Sequence, residues 1–328
     1  MMEETIKKYR SEIMGIATIM ILLGHSVFYG KGFVNYGFLN DFITLGYSGV
    51  DIFLFLSGFG LVFSIQNNNK RTFWKHRINR LLPTCLCIWF LYILIHIKSL
   101  SLMTFITPIL EVYLGGYWYV GFLIIVYLFF PWINEFASKR NGFITFFLSL
   151  FFSFLCLMPF IYQGSAVSCN PLVCIVTRFP IFTLGMLFAI KKFDILNIPY
   201  LNLILFILGI LILIPYYEKD DLGGNRFFTT YYCLLLLTPP VLYIYSFLLS
   251  FSNMGGAKSV LRWFGKLSLE IYLVQVTIMP LLMRKLNMMG IPPYFNVLCS
   301  IFITVFVSMI INSLCKKLKT LMIYDKGK

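Results

Sequence analysis

From its N-terminus the chain alternates long apolar runs with short polar breaks, and most runs are close to twenty residues long. They fall near 12–30, 43–65, 80–97, 118–135, 142–162, 172–190, 198–216, 229–250, 265–285 and 294–315. About twenty apolar residues, rising ~1.5 Å each as a helix, cross the ~30 Å hydrocarbon layer of a bilayer. The runs are continuous and lack the short two-residue alternation of a membrane barrel, so the backbone must satisfy itself within helices. The stretch 99–114 is also apolar, but Pro108 and Glu111 interrupt it, and it reads as a re-entrant or interfacial piece. The pattern predicts an all-α fold, a polytopic integral membrane bundle of about ten transmembrane helices. No internal repeat, low-complexity tract or attached soluble region divides residues 1–328, which read as one domain.

Composition strengthens that picture. Apolar residues make up 59% of the chain and charged residues 12%, with a mean hydropathy of +0.84. A soluble domain carries about a quarter charged residues. The bilayer is therefore the first partner to expect. Charge then orients the bundle. The breaks expected inside hold Lys7, Lys8 and Arg10; Lys70, Arg71, Lys75, Arg77 and Arg80; Lys139 and Arg140; and Lys191 and Lys192. Also inside are Lys258, Arg262 and Lys266, then Lys316, Lys317, Lys319, Lys326 and Lys328, which brings the total to 20 of the 27 Lys and Arg. Outer breaks hold Lys31, Lys98, Lys219, Arg226, Arg284 and Lys285. Positive-inside bias thus predicts both termini in the cytoplasm, N-in and C-in. The net charge of +14 is accounted for by topology, with no need of nucleic acid as a partner. The first run carries Glu12 and His25 and no small-x-small exit, so it reads as a retained helix and not a cleaved signal. None of the eight cysteines has metal-ligand or redox spacing, and no metal site is expected; Cys169 and Cys174 are the one pair near enough in sequence to consider joining.

Ionisable groups inside apolar spans are costly, which makes each a candidate for function. They are His25, Asp51, Arg178 and Glu270, with Glu12 at the inner end of the first span. At ~1.5 Å per residue, His25 lies about 20 Å from the inner surface, and Asp51 and Arg178 lie roughly 9–12 Å in from the outer one. Those three share a level in the outer half. Alone, each has a plain structural reading: a histidine bonded to a neighbouring helix, or Asp51 and Arg178 as an ion pair. A second cluster, Lys75, His76, Arg77 and Arg80 in FWKHRINRLLP, lies at the inner end of the third span. Arg77 and Arg80 are i and i+3, adjacent on one helix face, and paired guanidinium groups suit phosphate oxygens.

Several stretches together resemble acyltransferase family 3. GVDIFLFLSGFGL (49–61) followed by FWKHRINRLLP (73–83) is its most specific pair. SEIMGIATIMILLGHS (11–26), WYVGFLIIVYLFFPWI (118–133), RFPIFTLGML (178–187) and FGKLSLEIYLVQ (264–275) follow the same order along nearly the whole chain. The resemblance implies a multi-pass protein of a cell membrane, of the bacterial cytoplasmic kind. Its activity would be transfer of an acyl group, most often acetyl, from a cytoplasmic acyl-CoA to a hydroxyl of an extracytoplasmic carbohydrate or polysaccharide. Acyl-CoA would be a co-substrate, with no permanently bound cofactor. By similarity His25 matches the catalytic histidine, Arg77 and Arg80 the Arg-x-x-Arg element that engages the donor with Lys75 beside it, and Arg178 the start of the Arg-x-Pro stretch.

Two positions depart from the family pattern. An arginine usually stands eleven residues before the histidine, on nearly the same helix face; here that position is Met14. Arg10, one turn lower and about 60° off that face, is long enough to reach up. The last motif often ends in histidine, and here it ends in Gln275, which keeps hydrogen bonding but does not titrate. On this reading His25 takes the proton of a sugar hydroxyl or briefly carries the acyl group, and Arg178 steadies developing negative charge. The aromatic residues Tyr117, Trp118 and Tyr119 would stack on sugar rings or form an interfacial belt. A transporter or flippase of surface-glycan precursors would share the ten helices, and an inactive family member would share the motifs as well.

Overall fold

The computed structural model describes residues 2–30, 43, 45–161, 170–218, 225–251 and 255–324. Its helices are α1 (Met2–Tyr29), α2 (Gly49–Gln66), α3 (Lys70–Ile95), α4 (Leu102–Leu114), α5 (Trp118–Lys139), α6 (Gly142–Ile161) and α7 (Pro171–Thr177). They continue as α8 (Phe179–Ala189), α9 (Pro199–Glu218), α10 (Asn225–Phe251), α11 (Gly255–Lys266), α12 (Ser268–Met288) and α13 (Pro293–Tyr324). No strand occurs among the described residues. The fold is a polytopic helical membrane bundle. Among the described residues eight segments are long and apolar enough to cross a bilayer, and α11 with α12, bent by 64°, makes a ninth if the pair is one span. The remaining expected span, 198–216, is α9, of which Pro199–Ile212 is apolar but shorter. The stretch 99–114 is the separate thirteen-residue helix α4, too short for a span by itself.

Two crossings bring backbones so close that only glycine fits. A Cβ on Gly58 of α2 would strike the Phe182 carbonyl oxygen of α8, and one on Gly185 would strike that of Phe55 in return. Likewise a Cβ on Gly15 of α1 would meet the Leu261 carbonyl of α11, and one on Gly265 that of Ser11. Small residues at such contacts let dispersion forces act between helices that gain nothing from hydrophobic burial in lipid. Around these crossings lies a core of Phe55, Phe59, Phe73, Phe122, Phe130, Phe182 and Phe188, each fully buried. Lipid-facing Leu, Ile and Phe of α4, α6, α9 and α13 stay exposed on the outside of the bundle.

The expected sixth span is broken. Pro180 has no N–H to give the Val176 carbonyl, so the helix stops at Arg178 and resumes at Phe179. Ser153 of α6 fills the gap, donating to that carbonyl at 3.0 Å. The break makes Arg178 the junction between α7 and α8. A second break, at Leu267, separates α11 from α12.

Candidate active site

At one end of the bundle, here the basic end, α1, α2, α3, α5 and α12 enclose a cavity of about 170 Å³. Arg10, Arg77 and Arg80 all line it, with Ser57, Gly60, Tyr119, Tyr127 and Ser268, and no carboxylate does. Arg10 donates through Nη2 to the Leu56 carbonyl at 3.1 Å, and Arg77 through Nη2 to the Ser64 hydroxyl at 2.6 Å. The Arg77 guanidinium also lies 5.5 Å from the Phe73 ring centre and 5.9 Å from that of Tyr127. Both Nε atoms, of Arg10 and of Arg77, are buried and meet no acceptor among the described residues. Buried donors without partners cost about 1–3 kcal/mol each, more when charged, so an acceptor oxygen entering the cavity would relieve both. Phosphate fits that donor set. Met14 lines the same cavity beside Arg10. Lys75 is exposed and outside the lining.

Arg10 holds this place because position 60 has no side chain. A Cβ on Gly60 would come within 2.8 Å of Arg10 Nη2 and 2.9 Å of its Cζ. Ser57, Gly60, Leu61 and Ser64 form one face of α2 at i, i+3, i+4 and i+7, and the first three line the cavity while Ser64 receives Arg77.

His25 lies on the same helix as Arg10, fifteen residues on and so about 22 Å away along the axis. Its Nδ1 is 3.0 Å from the Ile21 carbonyl oxygen. A carbonyl only accepts, so Nδ1 carries the proton and Nε2 is left with a free lone pair. Gln275, buried on α12, brings its Nε2 to 3.4 Å from His25 Nδ1, while its own Oε1 is buried without a partner among the described residues. Turning the amide over sets Oε1 against the Nδ1 proton as a second acceptor and removes the contact between two donors. Tyr29 stacks on the imidazole at 5.3 Å, and Phe28 meets it edge-on at 6.4 Å.

Asp51 and Arg178 pair as the sequence suggested: Arg178 Nε is 3.5 Å from Asp51 Oδ1, and both side chains are buried. The guanidinium lies 4.8 Å from the ring centre of Trp118, whose neighbour Tyr119 reaches both Tyr272 and the basic cavity. His25 meets Ile21, Gln275, Phe28 and Tyr29, a set separate from the Asp51–Arg178 pair. Tyr117 and Tyr272 tie the start of α5 to α12. The first shares a 2.7 Å hydrogen bond with Thr277, and the second donates to the Gly116 carbonyl at 2.9 Å.

Two other candidates lie apart. Glu12 is buried and receives Nε and Nη2 of Arg262 on one oxygen at 3.0 and 2.7 Å, a clamp between α1 and α11 at their glycine crossing. Glu270 is half-buried in the first turn of α12, within electrostatic range of Cys87 on α3. Cys169, considered as a partner for Cys174, lies outside the described residues. Sequence reading passed over Ser57, Ser64 and Tyr127. Ser57 and Ser64 had a signal, one small and polar face on an otherwise apolar helix, whereas Tyr127 sits in an aromatic run where nothing distinguishes it.

A half-buried histidine with a fixed tautomer and an arginine-lined cavity reached along the same helix make a membrane enzyme of group transfer the class this arrangement fits. The acyltransferase-domain family matches residues 14–313, and the chain belongs to that family, acyltransferase family 3. No curated protein and no solved structure matches it.

Proposed function

We propose that the protein moves an acyl group, acetyl in the first instance, from a cytoplasmic acyl-CoA to a hydroxyl of an extracytoplasmic carbohydrate. The observation that carries this is the pairing on α1 of Arg10, in a cavity with two more guanidinium groups, and His25, with Nε2 free. With both termini inside, the basic end faces the cytoplasm, and the cavity receives the donor's phosphates. The pantetheine arm then runs between α1, α2, α5 and α12 towards His25, past Met14, Phe53 and Tyr119.

The chemistry needs few groups, because a thioester is already activated. His25 Nε2 takes the proton of the acceptor hydroxyl as its oxygen attacks the thioester carbonyl carbon. The C–O bond forms, the C–S bond breaks, and the proton passes from His25 to the departing thiolate. Arg178, at the junction of α7 and α8 and outside the set that contacts His25 in the ligand-free bundle, steadies the oxyanion of the bound thioester, with Asp51 holding its guanidinium in place.

The test is the purified protein in lipid nanodiscs with radiolabelled acetyl-CoA and envelope polysaccharide extracted from the host. Label in the polysaccharide, with free CoA released in equal amount, is the expected result. A protein that moves sugar across vesicles without thioester turnover is a transporter, and one that binds acyl-CoA without either is an inactive relative.

A further inference from the structure

A second cavity, of about 260 Å³, lies beneath α4 and takes no part in the proposed mechanism. Leu86, Ile88 and Trp89 of α3 form one long side, and Pro108, Ile109 and Val112 of α4 form the other. Tyr117, Val120 and Leu273 close the back. Among the described residues no charged side chain lines it, and the indole and phenol at its edge are engaged. Trp89 Nε1 donates to the Phe105 carbonyl at 3.0 Å, and the Tyr117 hydroxyl shares its hydrogen bond with Thr277. Water finds nothing to bond in such a space; an apolar cavity of about 150 Å³ already stays dry and takes up hydrocarbon. Left empty, it costs stability in proportion to its volume.

Packing fixes which way the cavity opens. At the back the helices touch: a Cβ on Gly121 of α5 would strike the Val112 carbonyl oxygen, and one on Gly116 would meet the Val276 side chain of α12. At the front, Leu86 and Ile109 line the cavity and are also 47% and 60% exposed on the outside of the bundle. Leu82 and Phe90, one turn to either side of Leu86 on α3, are exposed as well. The space is therefore continuous with the surface that the bilayer covers. Charge marks one end of it. Lys98, exposed in the turn between α3 and α4, is the one Lys or Arg between Arg80 and Lys139. It stands nine residues beyond Trp89, about 13 Å farther from the basic end at ~1.5 Å per residue.

We infer that this crevice seats the tail of an anionic bilayer phospholipid whose phosphate is held at Lys98. An alkyl tail asks for no hydrogen bond and replaces the void with dispersion contacts along α3 and α4. The Lys98 ammonium, a compact point charge on a flexible stem, meets the headgroup at the level where lipid phosphates lie. The seated tail fills the space under the short α4 and backs the stretch of α12 from Leu273 to Thr277, which includes Gln275. Binding of the lipid needs no turnover, so this inference stands apart from the acyltransferase reading.

The experiment places the purified full chain in phosphatidylcholine nanodiscs doped with phosphatidylglycerol that carries a photoreactive diazirine near the end of one tail. Cross-linked residues are then mapped by mass spectrometry. The exposed face of α13, with Leu298 and Phe302, reports ordinary contact with lipid. Labelling of residues 85–89 and 108–112 is expected to exceed that of α13 severalfold, and Val112→Trp, which fills the cavity, removes the excess. Ile109→Trp removes it from the mouth, at an exposed position that the fold tolerates if Val112→Trp is too large. Lys98→Gln lowers the excess about fivefold. Equal labelling of the two faces overturns the inference, as does an excess that survives Ile109→Trp. An excess indifferent to Lys98→Gln overturns the phosphate contact and the choice of an anionic lipid with it. Copurified lipid that carries a sugar in place of a phospholipid gives the crevice to a lipid-linked acceptor and overturns the inference too.

Discussion

At the basic end of the bundle, the proposed donor site rests on charge gathered from several helices: Arg10 of α1, Arg77 and Arg80 of α3, around a cavity floored by the small face of α2. Towards the other end the proposed proton acceptor rests on direction, one imidazole whose tautomer is set by its own helix and whose ring is held by Gln275 and Tyr29. The first design tolerates a moved residue, because three guanidinium groups at different heights can still converge on one anion. The second does not, because a proton acceptor must point at one atom. On the proposed reading, that difference lets the chain do without an arginine at position 14. Met14 lines the cavity, and Arg10 enters it from one turn lower, over Gly60. Among the described residues no second imidazole joins the contacts of His25.

The largest expected effect therefore belongs to His25→Ala. Loss of a general base lowers transfer about 10²–10⁴-fold, while acyl-CoA binding to the purified protein stays intact. Transfer that survives in a well-expressed variant would remove His25 from the proton path and dissolve the contrast between the two ends. Next comes the Asp51–Arg178 pair, which belongs to neither design. Arg178→Ala leaves a buried carboxylate uncompensated and costs about 3–5 kcal/mol, read as a lower thermal midpoint in detergent. Replacing both residues by leucine restores most of that stability. If transfer returns with it, the pair is structural; if the doubly replaced protein folds and stays inactive, Arg178 acts on the reaction.

The fold was legible in the sequence to the extent that hydropathy decides it. Spans at twenty-residue spacing were visible, and the short α4 was marked by Pro108 and Glu111. The break at Arg178 had a signal in Pro180, but its repair by Ser153, 23 residues away, had none. Glu12 shows the limit most clearly. Its partner Arg262 is 250 residues distant, and both were read separately, one as an intramembrane charge and the other as inner-loop bias. Pairwise contacts between helices carry no periodicity, so composition and spacing are blind to them. The Asp51–Arg178 pair was the exception, because equal depth and opposite charge suggested it before any coordinates did. Lys75 shows the opposite fault, since closeness to Arg77 in sequence did not bring it to the cavity.

At the basic end, paired replacement of Arg77 and Arg80 by alanine removes two of three guanidinium groups from the lining. Acyl-CoA affinity falls about 10- to 100-fold, measured by titration calorimetry, with the acceptor KM unmoved. Full affinity would return that cluster to topology alone. Gly60→Leu tests the substitute arginine without touching any charge, since its side chain would displace the Arg10 guanidinium. Losing one charge-assisted contact raises the donor KM about tenfold, and the same substitution combined with Arg10→Ala adds little further. Two additive losses would mean that Gly60 matters for some reason other than seating Arg10.

The smallest effect is expected at Gln275, and its size is informative. The Ile21 carbonyl already fixes the proton on Nδ1, one turn back on the same helix. Gln275 restricts the ring from a second helix but does not choose the tautomer. Gln275→Leu keeps the volume, removes one neutral hydrogen bond worth about 0.5–1.5 kcal/mol, and lowers transfer about two- to tenfold. A fall of the size seen for His25→Ala would show that the amide itself carries the proton or touches the acceptor. Orientation at that end would then be shared between α1 and α12, as charge is shared at the other, and the asymmetry between the two ends would be lost.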